Sequence, residues 1–197
     1  MGNAEFINRV IRCINRLFHQ TIYLLGSGIE KCYIQLIGVR AGKHIVFRGW
    51  TSFFRASNSE ILLGDNVSFN SSSYSNRIGL NHQCIITTMA PDAKITIGDR
   101  TGMSSTTITS WKQITIGRDV RIGANCVIMD GDFHLDDPRT PSPSPIVIKD
   151  NVWLGANVTV MKGVEIGENT IIGMNSVVTK NIPANCVAAG IPCKVIK

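Results

Sequence analysis

Three features of the sequence predict an all-β solenoid, a parallel β-helix built from six-residue repeats. Aliphatic residues recur every six positions in the C-terminal half, asparagine or glycine recurs at a fixed place in the same repeat, and one proline-rich stretch interrupts the pattern. Neither the helical period nor strict alternation fits a six-residue cycle, whereas a short strand followed by a corner does. We therefore expect coils stacked along one axis, each burying its aliphatic side chains against the next.

The chain begins with a segment that predicts an amphipathic helix. Apolar residues at i, i+3 and i+4 spacing mark one helix face: Ile7, Val10, Ile11, Ile14, Leu17, Phe18 and Ile22. Arg9, Arg12 and Arg16 lie on another part of its surface, and we expect Gly26 and Gly28 to end it. We predict that residues 1–37 form a helical cap. Such a helix either covers the open end of the solenoid or lies on anionic lipid, and the two alternatives stay open.

Charge and cysteine content indicate the kind of partner, the redox state of the thiols and the cellular location. Residues 1–55 contain eight Lys and Arg against two acids, a net of +6, which equals the formal net charge of the whole chain. An anionic surface is therefore the partner that this end favours, and we expect no nucleic-acid partner. The six cysteines show no CxxC pair or zinc-like spacing, which indicates reduced thiols. We expect a cytoplasmic protein, with peripheral contact at the inner face of the membrane through the N-terminal helix.

The repeat itself is regular over two blocks. Its aliphatic position is filled at Ile148, Leu154, Val160, Ile166, Ile172 and Val178, and earlier at Ile116, Ile122 and Ile128. Three residues after the aliphatic position stand Asp119 and Asn125, and then Asn151, Asn157, Gly163, Asn169, Asn175 and Asn181. Asparagine and glycine tolerate the left-handed backbone conformation best, so we expect the corners of the coil there.

The stretch "NVWLGANVTVMKGVEIGENTIIGMNSVVTKNIPANCVAAGIPCKVIK" resembles the hexapeptide-repeat acyltransferases, in particular galactoside and maltose O-acetyltransferases. The segment "MSSTTITS…IGRDVRIGANCVIMDGDFH" is similar to the transferases encoded with capsule and lipopolysaccharide synthesis. The resemblance spans most of residues 60–197. It implies a left-handed β-helix, here over 38–197, and a homotrimer with active sites between neighbouring subunits. It also implies acetyl-CoA as acyl donor and no metal.

The interruption predicts an extruded loop at about 131–145. Twenty residues separate Ile128 from Ile148, where three repeats need eighteen, and four prolines there cannot donate to a strand ladder. His134 is surrounded in sequence by four carboxylates, those of Asp130, Asp132, Asp136 and Asp137. A histidine tuned by carboxylates is a good general base near neutral pH, whereas the spacing from Ile128 also fits an inward core residue. The resemblance implies the catalytic role for His134. Which acid orients its imidazole, if any, stays open, with Asp137 and Asp130 as the candidates.

The resemblance also implies a set of substrate contacts. The backbone N–H of Ala156 would stabilise an oxyanion, and Trp153, which otherwise reads as core filler, would lie beside the pantetheine arm. The remaining coenzyme positions are Met174, Thr179 and Lys180 in the channel, and Lys194 and Lys197 near the phosphates. The two terminal lysines also fit a solvated tail. Ser105 stands where galactoside-type enzymes carry an acceptor-contacting asparagine, so we expect a differently built acceptor site in which Ser105 takes part.

These features predict an acetyl-CoA-dependent O-acetyltransferase that modifies a sugar hydroxyl in capsule, O-antigen or exopolysaccharide biosynthesis. One alternative is a streptogramin-type xenobiotic acetyltransferase on the same fold. A second is a metal-dependent carbonic anhydrase, which needs three converging histidines, while only His82 and His134 fall in the helical body. A third is a β-helix without catalytic function, which gives no reason for the loop, His134 and Trp153 to occur together.

Overall fold

A computed structural model describes residues 3–197. In the first part of the helix some side chains lie outside the description, those of residues 3, 4, 6–8, 10–12, 14–17, 19, 20, 22 and 24. Over residues 3–197 the chain forms one helix, α1 (Asn3–Leu36), followed by twenty strands. The order of elements is therefore the predicted one, a helix first and a solenoid after it.

The strands assemble into three sheets, which we number 1 to 3 in the order that each coil visits them. Sheet 1 consists of β1 (Arg40–Ala41), β4 (Glu60–Leu63), β7 (Lys94–Ile97), β10 (Gln113–Ile116), β13 (Ile146–Ile148) and β16 (Glu165–Ile166). Sheet 2 consists of β2 (Val46–Arg48), β5 (Ser68–Asn70), β8 (Gly102–Ser104), β11 (Arg121–Ala124), β14 (Trp153–Leu154), β17 (Ile171–Ile172), β19 (Val187–Ala189) and β20 (Lys194–Val195). Sheet 3 consists of β3 (Ser52–Arg55), β6 (Ile85–Thr88), β9 (Thr107–Ser110), β12 (Val127–Met129), β15 (Thr159–Val160) and β18 (Val177–Val178).

Each of the first six coils contributes one strand to each sheet, and neighbouring strands of these coils run parallel. Trp153 pairs with Ile171, which places one coil at eighteen residues, or three repeats. Only β20, among the described strands, turns back antiparallel, on β19. The predicted all-β solenoid, a left-handed parallel β-helix with an N-terminal helix and an extruded loop, is confirmed. We call the junction of sheets 1 and 2 the first corner, that of sheets 2 and 3 the second, and that of sheet 3 with the next coil the third.

The aliphatic position of the repeat lies in the core. All six residues from Ile148 to Val178 that occupy it are 1% exposed or less. The predicted corner asparagines adopt positive φ, for example Asn151 at 56° and Asn169 at 58°. Their side chains also stack along the axis, because Asn151 Nδ2 donates to Asn169 Oδ1 and Asn169 Nδ2 donates to Asn185 Oδ1, both at 2.9 Å. The sequence pattern therefore predicts both the core and the corners.

Asn181 is the exception to the corner pattern. It is absent from the positive-φ residues, and Asn185 takes the left-handed position in that coil. The Asn181 Oδ1 atom instead accepts a hydrogen bond from the Glu165 backbone N–H at 2.8 Å. The prediction of a left-handed corner at Asn181 is wrong, because its side chain binds the preceding coil and the turn shifts toward the C-terminus.

Helix α1 continues through Gly26 and Gly28, so the predicted end at these glycines is wrong. Contacts with the first coil hold this part of the helix: the Thr51 N–H donates to Glu30 Oε1 at 2.6 Å and the Phe47 N–H donates to Ser27 Oγ at 3.4 Å. Ile34 is fully buried in the core. These contacts outweigh the cost of a helical glycine, which is about 1 kcal/mol each.

The helix ends at a Schellman motif. Gly38 has φ of 82°, the Val39 N–H donates to Ile34 O at 2.9 Å, and the Gly38 N–H donates to Gln35 O at 3.0 Å. Val39 and Ile34 are both buried, which supplies the apolar contact that accompanies this motif. The chain therefore turns directly from the helix into β1.

The apolar face predicted for α1 falls mostly outside the described side chains, namely at Ile7, Val10, Ile11, Ile14, Leu17 and Ile22, together with Arg12 and Arg16 on the other face. The C-terminal part of α1 packs on β1 and β2, so it covers the first coil of the solenoid. Contact of the helix with lipid stays a prediction. No helix in the described part of the chain is long and apolar enough to cross a membrane.

Two excursions leave the regular coil. Residues 130–145 connect β12 to β13 at the third corner, as predicted. Residues 71–84 connect β5 to β6 at the second corner, and the sequence pattern did not predict them. We call these segments the His134 loop and the 71–84 insertion. They lie on different corners of the solenoid.

Candidate functional site

The His134 loop is anchored at its base by Asp130, which is fully buried. Its carboxylate accepts four hydrogen bonds, from Ser110 Oγ (2.7 Å), Trp111 N (2.6 Å), Lys112 N (3.0 Å) and Gln113 N (2.6 Å). The Asp130 carbonyl accepts a further one from the Ser144 N–H at 2.8 Å, at the other end of the loop. Asp130 thus joins the loop to the preceding coil, so the expectation that it orients His134 is not supported.

Two further contacts fix the shape of the loop. The Lys162 ammonium donates to Asp132 Oδ2 at 2.6 Å and to the Pro141 carbonyl at 2.8 Å, so it joins both arms of the loop. The Phe133 ring stands edge-on against Trp111, with centroids 4.9 Å apart. These contacts tie both arms of the loop to each other and to the neighbouring coils.

His134 lies at the exposed surface of this loop, so it is not the inward core residue that its spacing allows. Within residues 3–197 no hydrogen-bond partner of its imidazole is present. The neighbouring carboxylates have other partners: Asp132 binds Lys162, and Asp137 binds Arg139 at 2.6 Å. The Arg139 guanidinium holds the pKa of Asp137 below its usual value through these hydrogen bonds. An orienting role for Asp137 is thus unsupported in the single chain.

A groove on the second corner brings together three of the predicted coenzyme residues. Trp153, Ala156 and Met174 line a cleft of about 340 Å³. Trp153 is 49% exposed and Met174 is 60% exposed, so both side chains present apolar surface to the groove. Trp153 is therefore not the core filler that its place in the repeat also allowed.

The wall of this groove carries a backbone donor. Among the described residues nothing accepts a hydrogen bond from the Ala156 N–H, although Ala156 is only 9% exposed. Gly123 lies directly above it, and a Cβ added at Gly123 would approach the Ala156 nitrogen to 2.6 Å. The absence of a side chain at Gly123 thus leaves the space beside this N–H open. A buried N–H without a partner is costly unless a ligand atom accepts from it.

The 71–84 insertion forms the roof of the groove, where Asn76 and Ile78 complete its lining. Asn125, a corner asparagine, fixes the insertion on both sides: its Oδ1 accepts from the Asn81 N–H at 3.0 Å and its Nδ2 donates to Gly79 O at 3.1 Å. The groove therefore has a wall from the regular coil and a roof from an irregular segment.

Ser105 supports the same insertion. It is fully buried, its hydroxyl donates to the His82 carbonyl at 2.6 Å, and it accepts from the His82 N–H at 3.1 Å. The hydroxyl is therefore engaged by the backbone, and the predicted acceptor contact through Ser105 is not supported. Ser105 positions the insertion instead.

The other predicted coenzyme residues occupy two places. Lys194 lies on β20, the last strand of sheet 2, and the backbone of Lys197 bonds to Val187 of β19 beside it. Thr179 and Lys180 are exposed at the third corner, two coils after the His134 loop. Sheet 3 separates the groove from His134 and Thr179, so one chain does not bring the predicted residues together.

Sequence reasoning missed several residues that shape this site. Trp111 and Lys162 hold the loop and Asn125 holds the insertion, whereas the repeat pattern predicted only a corner at Asn125. One signal was present, because Trp111 stands nineteen residues before Asp130, about one coil apart, so the two are stacked. No group of three or more His, Cys, Asp or Glu side chains placed to hold a metal ion occurs among the described residues.

Known proteins show the same repeat. Residues 145–180 match the family described as bacterial transferase hexapeptide (six repeats), and residues 113–131 match the hexapeptide repeat of succinyl-transferase. WbbJ of Escherichia coli K12, whose name assigns it provisionally as a lipopolysaccharide biosynthesis O-acetyl transferase, is 44% identical over 46% of this chain and 53% of its own length. Galactoside O-acetyltransferase of the same strain is 57% identical over 27% of this chain and 26% of its own length. The chain thus spans about half or less of these relatives.

The fold has counterparts among solved structures. The S84C mutant of AntD, an N-acyltransferase from Bacillus cereus in complex with dTDP-4-amino-4,6-dideoxyglucose and coenzyme A, superposes with a TM-score of 0.65. It is 20% identical, and the match covers 85% of this chain and 87% of that one. This likeness concerns the fold alone. In its repeats and in its fold, the chain is similar to the hexapeptide-repeat acyltransferases.

Proposed function

We propose that this chain is an acetyl-CoA-dependent O-acetyltransferase that modifies a sugar hydroxyl during surface-polysaccharide biosynthesis. The observation that carries the proposal is the groove in which Trp153, Met174 and the unpaired Ala156 N–H occur together. An apolar cleft with one placed donor fits an extended thioester whose carbonyl oxygen must be polarised. The relatives named for O-acetyl transfer to galactoside and in lipopolysaccharide biosynthesis support the sugar acceptor.

The donor side follows from the geometry of sheet 2. The half-exposed Trp153 ring and the Met174 side chain offer an apolar surface for the pantetheine arm. Lys194 lies about three strand spacings further along the sheet, roughly 14 Å, where cations would attract the coenzyme phosphates. Gly155 keeps the coil narrow here, since a Cβ on it would lie 2.6 Å from the Met174 backbone nitrogen.

The chemistry is a direct acyl transfer. The imidazole of His134 removes the proton from the acceptor hydroxyl as that oxygen forms a bond to the thioester carbonyl carbon. The Ala156 N–H stabilises the negative charge on the carbonyl oxygen of the tetrahedral intermediate. When the intermediate collapses, the C–S bond breaks, the carbonyl forms again, and the imidazolium returns its proton to the thiolate of CoA. No covalent intermediate with the protein is required.

The proposed base, His134, and the donor groove would come together between two copies of the chain. His134 projects from the third corner, whereas the groove lies on the second corner, with sheet 3 between them. A homotrimer in which the third corner of one copy faces the second corner of its neighbour would bring the base to the thioester. It would also place Thr179 and Lys180 of the first copy along the neighbour's coenzyme. Sedimentation velocity should therefore report a trimer.

Thiol release from acetyl-CoA in the presence of free, nucleotide-linked and lipid-linked sugars tests the proposal. We expect release that depends on an added sugar, with mass spectrometry locating one acetyl ester on the acceptor. Replacing His134→Asn should lower turnover about 10²- to 10⁴-fold, because the base is lost. His44→Asn is the matched control, since His44 is exposed on the first coil at a positive φ that asparagine tolerates.

Three results would contradict the proposal. Equal turnover by the His134→Asn and His44→Asn variants would remove His134 from the mechanism. Turnover on streptogramins but on no sugar would move the acceptor class to xenobiotics. Acetyl-CoA binding without turnover on any acceptor would leave a binding protein.

A further inference from the structure

A second cavity of about 370 Å³ lies near the N-terminal end of the solenoid, away from the donor groove. It is enclosed by α1, by the second corner of the first coil, and by the start of the 71–84 insertion. Its lining residues are Tyr23, Gly26, Ser27, Glu30, Phe47, Gly49, Trp50, Ser72 and Tyr74. None of them takes part in the proposed transfer.

The cavity combines aromatic faces with short polar groups. Trp50 is 48% exposed and Tyr74 is 72% exposed at its rim, while the buried Phe47 ring lies at its base. The polar groups are the Ser27 and Ser72 hydroxyls, the Tyr23 hydroxyl, which donates to Ser72 Oγ at 3.3 Å, and the buried Glu30 carboxyl. The described lining contains no lysine or arginine.

This composition fits a sugar ring better than a phosphate-bearing ligand or an acyl chain. A pyranose presents C–H faces, which pack on aromatic rings, and hydroxyls, which need hydrogen-bond partners at the ring edge. A phosphate would meet no cation in this lining and would face Glu30. An acyl chain would cover the serine, tyrosine and glutamate groups at the edge of the cavity and would gain no hydrogen bond from them.

The position of the cavity connects it with the donor groove. Ser72 and Tyr74 at the start of the 71–84 insertion line the cavity, and Asn76 and Ile78 a few residues later line the groove. Both sites therefore lie along the second corner, about three to four coils apart, or roughly 15–20 Å at the spacing of β-strands. One extended molecule passing over the insertion would contact both.

We propose that the cavity between α1, Trp50 and Tyr74 is a carbohydrate subsite that holds a sugar residue of an extended acceptor, several residues away from the one that is acetylated. This inference rests on the proposed sugar O-acetyltransferase function and names its acceptor class as an oligosaccharide or polysaccharide. Holding a distant residue raises the local concentration of acceptor at the groove, so longer glycans should be better substrates than their monomers.

Binding is measured first, without acetyl-CoA, by calorimetric titration of the full chain with maltohexaose, cellohexaose and chitohexaose and with glucose and N-acetylglucosamine. We expect at least one hexasaccharide to bind more tightly than its monomer. Trp50→Ala and Tyr74→Ala should each weaken that binding about five- to tenfold, the loss of one stacking face. Since Tyr74 is largely exposed, its variant should fold normally. Phe54→Ala, which removes an exposed ring on sheet 3, is the matched control and should bind as the wild type does.

Kinetics on the acceptors that turn over then tests the link to transfer. The ratio of kcat/KM for a hexasaccharide to that for its monomer should fall about five- to tenfold in Trp50→Ala, through KM and not through kcat. Hexasaccharide binding that is absent, or unaffected by both variants, would overturn the subsite. Binding that depends on Trp50 without any acetyl transfer would instead uphold the subsite and refute the proposed function.

Discussion

Removing one oxygen acceptor at Asp130 should loosen the whole His134 loop. In Asp130→Asn the side chain keeps one carbonyl oxygen but directs an amide N–H₂ toward donors that now bind a carboxylate. Oδ2 accepts three of the four hydrogen bonds and Oδ1 accepts the one from Trp111 N, so at least one bond is lost inside a fully buried site even when the amide oxygen takes the Oδ2 position. A hydrogen bond to a charged group is worth about 1.5–3 kcal/mol, so we expect a loss of at least about 1.5–3 kcal/mol in the free energy of unfolding.

Urea unfolding followed by tryptophan fluorescence measures this loss, because Trp111 lies beside Asp130 and reports on the site. For a chain of this length, the expected loss corresponds to a decrease in Tm of at least about 5 °C. Asp136→Asn is the matched control, since Asp136 is exposed on the same loop, and it should change stability by less than about 0.5 kcal/mol. Equal stability of the two variants would refute the anchoring role. An unchanged Tm together with a shifted pH profile of turnover would restore Asp130 as the group that orients His134.

Two further predictions concern buried or bridging polar groups. Burial raises the pKa of Glu30 from 4.5 to about 7, so between these pH values the folded chain binds a proton that the unfolded chain does not. The free energy of unfolding should therefore fall as the pH rises through this window, by up to about 3 kcal/mol. Glu30→Gln removes the titrating group, so its denaturation midpoint should change less with pH than that of the wild type. The same pH dependence in both proteins would contradict this. Asn125→Gly keeps the left-handed corner but removes both side-chain hydrogen bonds to the 71–84 insertion. Limited trypsin digestion should therefore cleave the variant faster than the wild type after Arg77. Cleavage at the wild-type rate would show that other contacts hold the insertion.

The regular coils could be read from the sequence because the repeat is local. Each aliphatic position from Ile148 to Val178 is buried, and asparagine marks most of the corners, since both properties follow from six residues at a time. The His134 loop was predicted for the converse reason, because four prolines and the loss of aliphatic spacing break a local pattern. Asn181 deviates because its side chain accepts a hydrogen bond from Glu165 of the preceding coil.

Features that depend on contacts between coils could not be read in this way. The 71–84 insertion has a largely polar sequence without periodicity, and contacts with residues distant in sequence, among them Asn125 and Ser105, hold its shape. The helix passes Gly26 and Gly28 because Glu30 and Ile34 dock on the first coil, which local propensity does not encode. The anchoring role of Asp130 could not be predicted for the same reason, since its partners lie one coil earlier in the chain.

The candidate residues form two groups in one chain. Trp153, Ala156 and Met174 line one groove, whereas His134, Thr179 and Lys180 lie across sheet 3 from them. Such a separation is what the resemblance implies, since it places the active sites between neighbouring subunits. The spacing of eighteen residues holds for the coils of Ile148, Trp153 and Thr159, and the sequence pattern predicts the corners there, whereas the earlier coils differ in length.

Calorimetric titration of acetyl-CoA into the full chain tests the central claim most directly, because the donor groove is the feature on which the transferase proposal depends. We predict one site per chain, with Trp153→Ala weakening the affinity about tenfold through the lost apolar contact and with no effect of the control Phe54→Ala. Acetyl-CoA that does not bind, or that binds equally well to Trp153→Ala, would contradict the assignment of the groove.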